Sequence, residues 1–426
     1  MNKISIILPV YNQLRDFIEL LPHISNQTLL PDELIIIDSS DNSLIKEYLT
    51  EKCFPFSVRY YDRQDFQIEK TIKAFQNNNF SWHFNKTHYI NRRNKRLYPA
   101  EAVNFGALKS KNELIAMLDV CTIPNENWLR AYSDLISTSK LDIVFGSTLY
   151  ASKTNFQDLV KSSTFGNLPV ESNPGSLLKK NIILQNPLKE GVRAGADIEW
   201  RPRIKKKYKF ISPSKSFLVY SSLPTNLFSA IKKFFIYQIH ASRIRVQLGY
   251  KDLFLSLTLI FATLILFKWN TYMGWFLYLP NVLKIFLISC NIFLIMLMLI
   301  KRFGKRHFQD IGLGFTERTF KYLLLVTLFF ISYRWNSFFA SWIEDSSLYI
   351  PHITKIYVIS LLFIALIYRG LIFPFKNGYS IKSLLPFKFI LVGFTGVILD
   401  LSKLPGFILG SFISLIGVII VNERSD

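Results

Sequence analysis

The 426-residue chain is half hydrophobic and carries 51 basic against 30 acidic side chains, a formal net charge of +21. That composition excludes a disordered or low-complexity protein, and three widely spaced cysteines (Cys53, Cys121, Cys290) exclude a disulfide framework and a four-thiolate zinc site. The charge is uneven: residues 1–200 hold 23 basic and 22 acidic groups, 201–252 hold 12 and one, and 253–426 hold 16 and 7. An anionic partner is therefore expected of the later segments, not of the first half.

In chain order, Ile4–Val10 and 34–38 are short, branched, apolar runs of the kind found in buried parallel strands. A helix is expected over 12–30, further strands at 57–61, 114–119 and 142–146, and a helix over 99–109. Alternating strands and helices predict an α/β unit whose ligands bind at the carboxyl ends of the strands. Asp38 and Asp119 stand at two such ends. Segment 226–248 reads as a basic amphipathic helix suited to a headgroup layer; its other reading is a helix packed on the preceding domain. Long apolar runs begin only after residue 252, near 253–267, 275–300, 320–342, 354–372, 387–401 and 405–421. About six membrane spans are expected, a span needing about 20 residues, and the last two runs also read as one broken hairpin around Leu401–Gly406. Basic residues follow the second run (Lys301, Arg302, Lys305, Arg306) and the fourth (Arg369, Lys376, Lys382, Lys388), whereas Glu344 and Asp345 separate the third from the fourth. This asymmetry places the N-terminal half in the cytoplasm of an inner-membrane protein, with membrane lipids as partners. Ile4–Val10 is too short for a signal peptide.

Several ordered pieces together resemble a known family. Ile4-Ser5-Ile6-Ile7-Leu8-Pro9-Val10-Tyr11-Asn12 is followed by Ile35-Ile36-Ile37-Asp38-Ser39-Ser40, then Asn104-Phe105-Gly106-Ala107, then Leu118-Asp119-Val120-Cys121-Thr122-Ile123-Pro124 with Trp128-Leu129. The series closes at Gly195-Ala196-Asp197-Ile198-Glu199-Trp200 with Arg203. Over about residues 3–203 this resembles the family 2 glycosyltransferases, inverting enzymes of GT-A fold. The resemblance implies a Rossmann-like nucleotide-sugar-binding domain (1–215), and the charge and apolar patterning add a basic interfacial segment (216–252) and an all-α transmembrane domain (253–426). Pro9 and Tyr11 would line the base pocket, Asp38 would contact base or ribose, and Asn104 would belong to the donor site. Asp119 would open the Asp-x-Asp motif that holds ribose and a divalent cation, Mg²⁺ or Mn²⁺. Asp197 would be the general base. The glutamate usual before that base is replaced by Ala196, which makes Glu199 a second candidate.

Two departures bear on the chemistry. Ser39 stands where the family has a second acid, so uridine and thymidine carriers are both open. Cys121 replaces the second aspartate of the motif, and a thiol is a poor ligand for a hard cation. Arg193, Arg201 and Arg203 near Asp197 read either as contacts to phosphate oxygens or as a solvated basic face. No Cys-x-x-Cys or His-x-x-x-His pair occurs, the Gln-x-x-Arg-Trp motif of processive synthases is missing, and no nucleic-acid module accompanies the basic run 201–209. The expected activity is transfer of a sugar from a nucleotide sugar to a polyprenyl-linked acceptor in cell-surface polysaccharide synthesis. The alternative, motivated by Cys121 and Ser39, is a non-catalytic nucleotide-sugar-binding or scaffold subunit.

Overall fold

The computed structural model describes residues 3–65, 96–244, 363 and 365–422. A nine-stranded sheet organises the first half. Its strands are β1 (Ile4–Val10), β2 (Glu33–Asp38), β3 (Ser57–Tyr61), β4 (Leu114–Met117), β5 (Thr122–Pro124), β6 (Ile143–Tyr150), β7 (Val170–Lys179), β8 (Phe210–Ile211) and β9 (Leu218–Tyr220). They lie in the order β3-β2-β1-β4-β7-β6-β9-β5, with β8 also paired to β6. The first four are mutually parallel, in register so that Val10 faces Asp38 and Ile7 faces Met117. The chain therefore leaves β1, β2 and β4 at one edge, where ligands of open α/β sheets bind.

Side-chain alternation builds two cores, one on each face. Ile4, Ile6 and Leu8 of β1 pack with α1 (Leu14–Ser25), whose Phe17, Leu20, Leu21 and Ile24 recur at helical spacing. Ile7 points the other way, with Ile35 and Ile37, toward the later helices. After the short helix α2 (Leu44–Thr50), the expected helix over 99–109 is α3 (Pro99–Lys109), and α4 (Trp128–Ser139) joins the α1 face through Trp128 and Tyr132. The remaining helices of this half are α5 (Asn155–Thr164), α6 (Lys180–Gln185) and α7 (Ala196–Lys205). Trp200 of α7 is fully buried and donates its ring N–H to the Asn186 carbonyl at 2.7 Å.

Strand β9 lies beyond residue 215 yet pairs with both β6 and β5, setting Tyr220 beside Tyr150 and Thr122. The α/β unit thus runs past the expected domain boundary. The amphipathic segment forms α8 (Leu227–Arg243), capped by Asn226, whose side chain accepts the Ser229 N–H at 2.9 Å. This helix is packed against the α/β unit and the C-terminal helix. Ala230 and Phe234 meet Val160, Phe165 and Leu399, the backbone at Phe235 and Ile239 touches the C-terminal helix, and Lys233, Tyr237 and His240 turn toward the sheet edge. On this helix Lys233 finds polar partners in the α/β unit and His240 a ring contact with Tyr98, while Leu227, Phe228, Lys232 and Arg243 remain exposed.

The runs expected at 253–267, 275–300 and 320–342, and most of 354–372, lie outside the described residues. The last two runs are not a hairpin. They form one 35-residue helix, α9 (Lys388–Asn422), which passes through Pro405 and is about 52 Å long at 1.5 Å per residue. Its portion Lys388–Phe407 has a mean hydropathy of 1.5 and is long and apolar enough to cross a membrane. The charges inside it are neutralised locally: Asp400 accepts from Arg369 at 2.6 Å and from Lys403 at 3.0 Å.

Candidate active site

The cleft is assembled from the loops that leave the parallel strands. After β1, Asn12 adopts a left-handed conformation (φ 51°) and trades hydrogen bonds with Asp41, donating to its carboxylate at 2.7 Å and accepting its backbone N–H at 2.9 Å. The Tyr11 hydroxyl donates to the same carboxylate at 3.0 Å. These donors, with Arg63, hold the Asp41 carboxyl below its usual range. Asp38 is buried, with one oxygen accepting the Ser40 N–H and the other the Tyr60 hydroxyl, both at 2.8 Å. Both its oxygens are therefore engaged, and Asp41 is the exposed acid at the strand end. The Arg96 guanidinium lies 3.3 Å above the Tyr11 ring.

Asp119 follows β4 and forms the cleft floor. Burial raises its pKa, opposed by the backbone N–H groups of Cys121 and Val120 and by the field of Lys233. The Cys121 thiol accepts from the Gln13 side chain at 2.8 Å and donates to Asp16 at 3.7 Å. Burial, then the neighbouring Asp119, pushes it up to about 12, so it stays a neutral thiol. Above this floor stands a wall of tyrosines. Tyr150 stacks on Phe165 at 3.9 Å and leans on Tyr220 at 5.3 Å. Burial, followed by the Asp197 charge, pushes Tyr150 up to about 12, and the fields of Asp119 and Asp197 both reach it and Tyr237. Asp119 and Asp197, far apart in the chain, thus bear on the same two tyrosines.

Asp197 sits in the first turn of α7 after Gly195 (φ 88°), its side chain 41% exposed and 3.4 Å from Arg201. Glu199 does not share this position. Two residues on a helix differ by about 200° in direction, and Glu199 instead pairs at 3.1 Å with Arg203, which also donates to the Pro187 carbonyl at 2.9 Å. Neither Glu199 nor Arg203 is brought to the cleft by these contacts. Asn104 is likewise committed elsewhere. Fully buried on α3, it donates to the Leu188 carbonyl at 2.9 Å and to Glu190 at 3.0 Å, and accepts the Leu188 N–H at 3.0 Å. Its work is to pin the segment that leads to Arg193. Asn104→Ala is expected to cost about 1–3 kcal/mol by stranding the buried Leu188 groups, read as a lower urea midpoint.

Arg193 is exposed and has no hydrogen bond or ion pair among the described residues. Its field bears on Arg96, Lys233 and His240. His240, edge-on to Tyr98 at 5.5 Å, is driven down from 6.5 to about 4 by burial, then by Arg243 and Arg193. The folded form therefore binds the proton less tightly than the unfolded chain. Stability from the neutral ring is complete above about pH 6.5 and is lost as pH falls through about 4. His240→Gln is expected to flatten that acid-side loss by about 1–2 kcal/mol after allowance for solvent screening, measured as thermal midpoints between pH 7 and pH 4.

The donor set does not fit a hard divalent cation. Asp119 supplies one carboxylate, Cys121 a neutral thiol already bonded to Gln13 and Asp16, and the charge of Lys233 reaches the same spot. Among the described residues no three His, Cys, Asp or Glu side chains converge to hold a metal. Sequence reasoning missed Gln13, Asp16, Asp41, Arg96, Tyr150, Tyr220, Lys233, Tyr237 and His240. Only Lys233 carried a signal, as part of the amphipathic pattern.

No protein-family profile and no curated protein matches the chain. Among solved structures it is similar to residues 1–349 of S. aureus TarS in complex with UDP-GlcNAc, at 12% identity over 56% of this chain and 65% of that one, TM-score 0.38. It is also similar to the mannosyltransferase PcManGT from Pyrobaculum calidifontis with GDP-Man and Mn²⁺ (15%, 56% and 63%, TM-score 0.36). A third is glucosyl-3-phosphoglycerate synthase from Mycobacterium tuberculosis with Mn²⁺, UDP-glucose and phosphoglyceric acid (14%, 55% and 76%, TM-score 0.35). The match spans less than two thirds of the TarS and PcManGT chains. At these values the residues of the cleft, not the likeness, have to carry the functional argument.

Proposed function

We propose that the chain is a membrane-bound, inverting glycosyltransferase with a GT-A nucleotide-sugar domain in the cytoplasm, acting on a lipid-linked acceptor in cell-surface glycan synthesis. The observation that carries this reading is that Asp119, just after β4, and Asp197, in the first turn of α7, bear on the same tyrosines, Tyr150 and Tyr237, with Lys233 close enough to act on Asp119 and Arg193 close enough to act on Lys233. A nucleoside lies at the Tyr11–Arg96 end of the site, where the exposed Asp41 meets its polar edge. The acceptor hydroxyl gives its proton to Asp197 as its oxygen bonds to the anomeric carbon. The bond from that carbon to the diphosphate oxygen breaks on the opposite side, and the electron pair leaves with the diphosphate. Displacement from the opposite side inverts the anomeric centre.

A lipid-linked acceptor suits the surroundings of the cleft. Helix α8 lines the cleft with one side and packs on the apolar α9 with another, while Phe387, Leu391 and Phe394 of α9 and its approach stay exposed. The test uses the full chain in detergent with polyprenyl-phosphate or polyprenyl-diphosphate-linked glycans and a panel of UDP-, GDP- and dTDP-sugars. Release of the nucleoside diphosphate that depends on the lipid acceptor is expected. A chain inert toward every donor and acceptor, with and without metal, is instead the non-catalytic subunit.

A further inference from the structure

Three cationic side chains of the cleft have more binding capacity than the protein uses. Arg193 has no partner among the described residues. Arg96 stacks on Tyr11, and its buried Nε has no hydrogen-bond partner. Lys233 donates to the Tyr220 hydroxyl at 3.1 Å and the Ser222 carbonyl at 3.4 Å, which occupies two of its three N–H groups. The three lie close enough that Arg193 repels both of the others. Gathering like charges in a partly desolvated cleft is unfavourable unless an anion joins them. The strand register fixes Lys233 at the critical point: Tyr220 is the Cα partner of Thr122, one residue from Cys121, so the ammonium borders the motif in which a second acid is missing.

We infer that Lys233, with Arg193 and Arg96, neutralises the donor diphosphate in place of a divalent cation, so that this chain binds and turns over its nucleotide sugar without metal. This rests on the transferase reading above. When the anomeric carbon–oxygen bond breaks, the diphosphate gains one negative charge. The free N–H of Lys233 and the guanidinium of Arg193 are charge-assisted donors for its oxygens. A fixed ammonium beside Asp119 supplies positive charge that a bound cation would otherwise supply.

Binding of UDP, GDP and dTDP to the purified full chain, followed by calorimetry with EDTA or with Mn²⁺, tests this. At least one diphosphate is expected to bind equally well in both conditions. Lys233→Met is expected to weaken it tenfold or more while changing the matching monophosphate less than threefold, and Lys233→Arg to keep most of the affinity. Thermal unfolding checks that the variants fold; should Lys233→Met not fold, the EDTA comparison on the native chain and the arginine variant decide. Binding abolished by EDTA and restored by Mn²⁺ would overturn the inference and leave the transferase reading intact, with Asp119 and Asp16 as the metal's acids. Undiminished binding by Lys233→Met would overturn it too. If no diphosphate binds in either condition, the inference falls together with the transferase reading.

Discussion

Asp197→Asn is expected to lower sugar transfer by about 10²- to 10⁴-fold, the usual worth of a positioned general base, with nucleoside diphosphate binding unchanged within about twofold. The amide keeps the size and the backbone contacts of the carboxylate but cannot take a proton. Three features suit Asp197 to the role. It lies in the first turn of α7, where the helix dipole favours a negative charge. Arg201 stands 3.4 Å away and is itself shared with Glu171, so the carboxylate is oriented without being fully neutralised. Its 41% exposed side chain leaves an oxygen free for an acceptor hydroxyl. Glu199→Gln is the informative contrast: it loses only an i,i+4 pair with Arg203, worth about 0.3–0.5 kcal/mol, and should transfer at near-native rate. A pre-steady-state measurement separates the chemical step from product release. Equal activity in Asp197→Asn and the native chain would move the base elsewhere and unseat the assignment of this cleft.

The residues that sequence reading reached and those it missed differ in a physical way. Strands β1, β2, β3 and β4 and helix α3 are legible because each is decided locally, by a short branched run or by Pro99 opening a helix. Asp119 and Asp197 are singled out in the sequence by their ordered neighbours, and the structure sets them just after β4 and in the first turn of α7. Strand β7 is not legible, since Asn173, Pro174 and Gly175 (φ 84°) interrupt any apolar alternation in its middle. Only pairing with β6 and β4, and burial of Leu177 and Leu178, makes it a strand. Asn104 read as a donor-site residue because its motif position is right; its amide is consumed by a segment 84 residues away, which no local pattern announces. Lys233 is the same lesson in reverse. Beside Lys232 it looks like half of a basic headgroup-binding pair, and only the β5–β9 register, which brings Tyr220 next to Cys121, turns it inward. The continuity of α9 was hidden by Lys403 and Pro405, which punctuate an apolar pattern as a break would.

Gly410→Ala is expected to reduce turnover about 100-fold although Gly410 touches no cleft residue's side chain. A Cβ at Gly410 would lie 2.3 Å from the Ile239 carbonyl oxygen, and one at Gly406 would lie 2.5 Å from that of Phe235. The two glycines, four residues apart, share one face of α9 and let the two helix backbones approach closely. Carbonyl oxygens of a helix cannot swing aside, so a methyl group there forces α8 and α9 apart by about 1 Å. Lys233, Tyr237 and His240 ride on the displaced helix, and an error of about 1 Å in a positioning group can cost about 10² in rate. Gly393→Ala separates this from general loosening of α9. Its Cβ would meet the Leu366 carbonyl oxygen at 2.6 Å, against the segment before α9 and not against α8. Both variants should unfold at lower temperature, but per folded molecule only Gly410→Ala should lose more than tenfold in transfer and in diphosphate binding. If the two variants lose activity alike, α9 does no more than hold the chain together. If they divide as expected, the apolar C-terminal helix sets the position of the cations in the cleft, and anything that shifts α9 against α8, a lipid acceptor included, would be felt at Lys233.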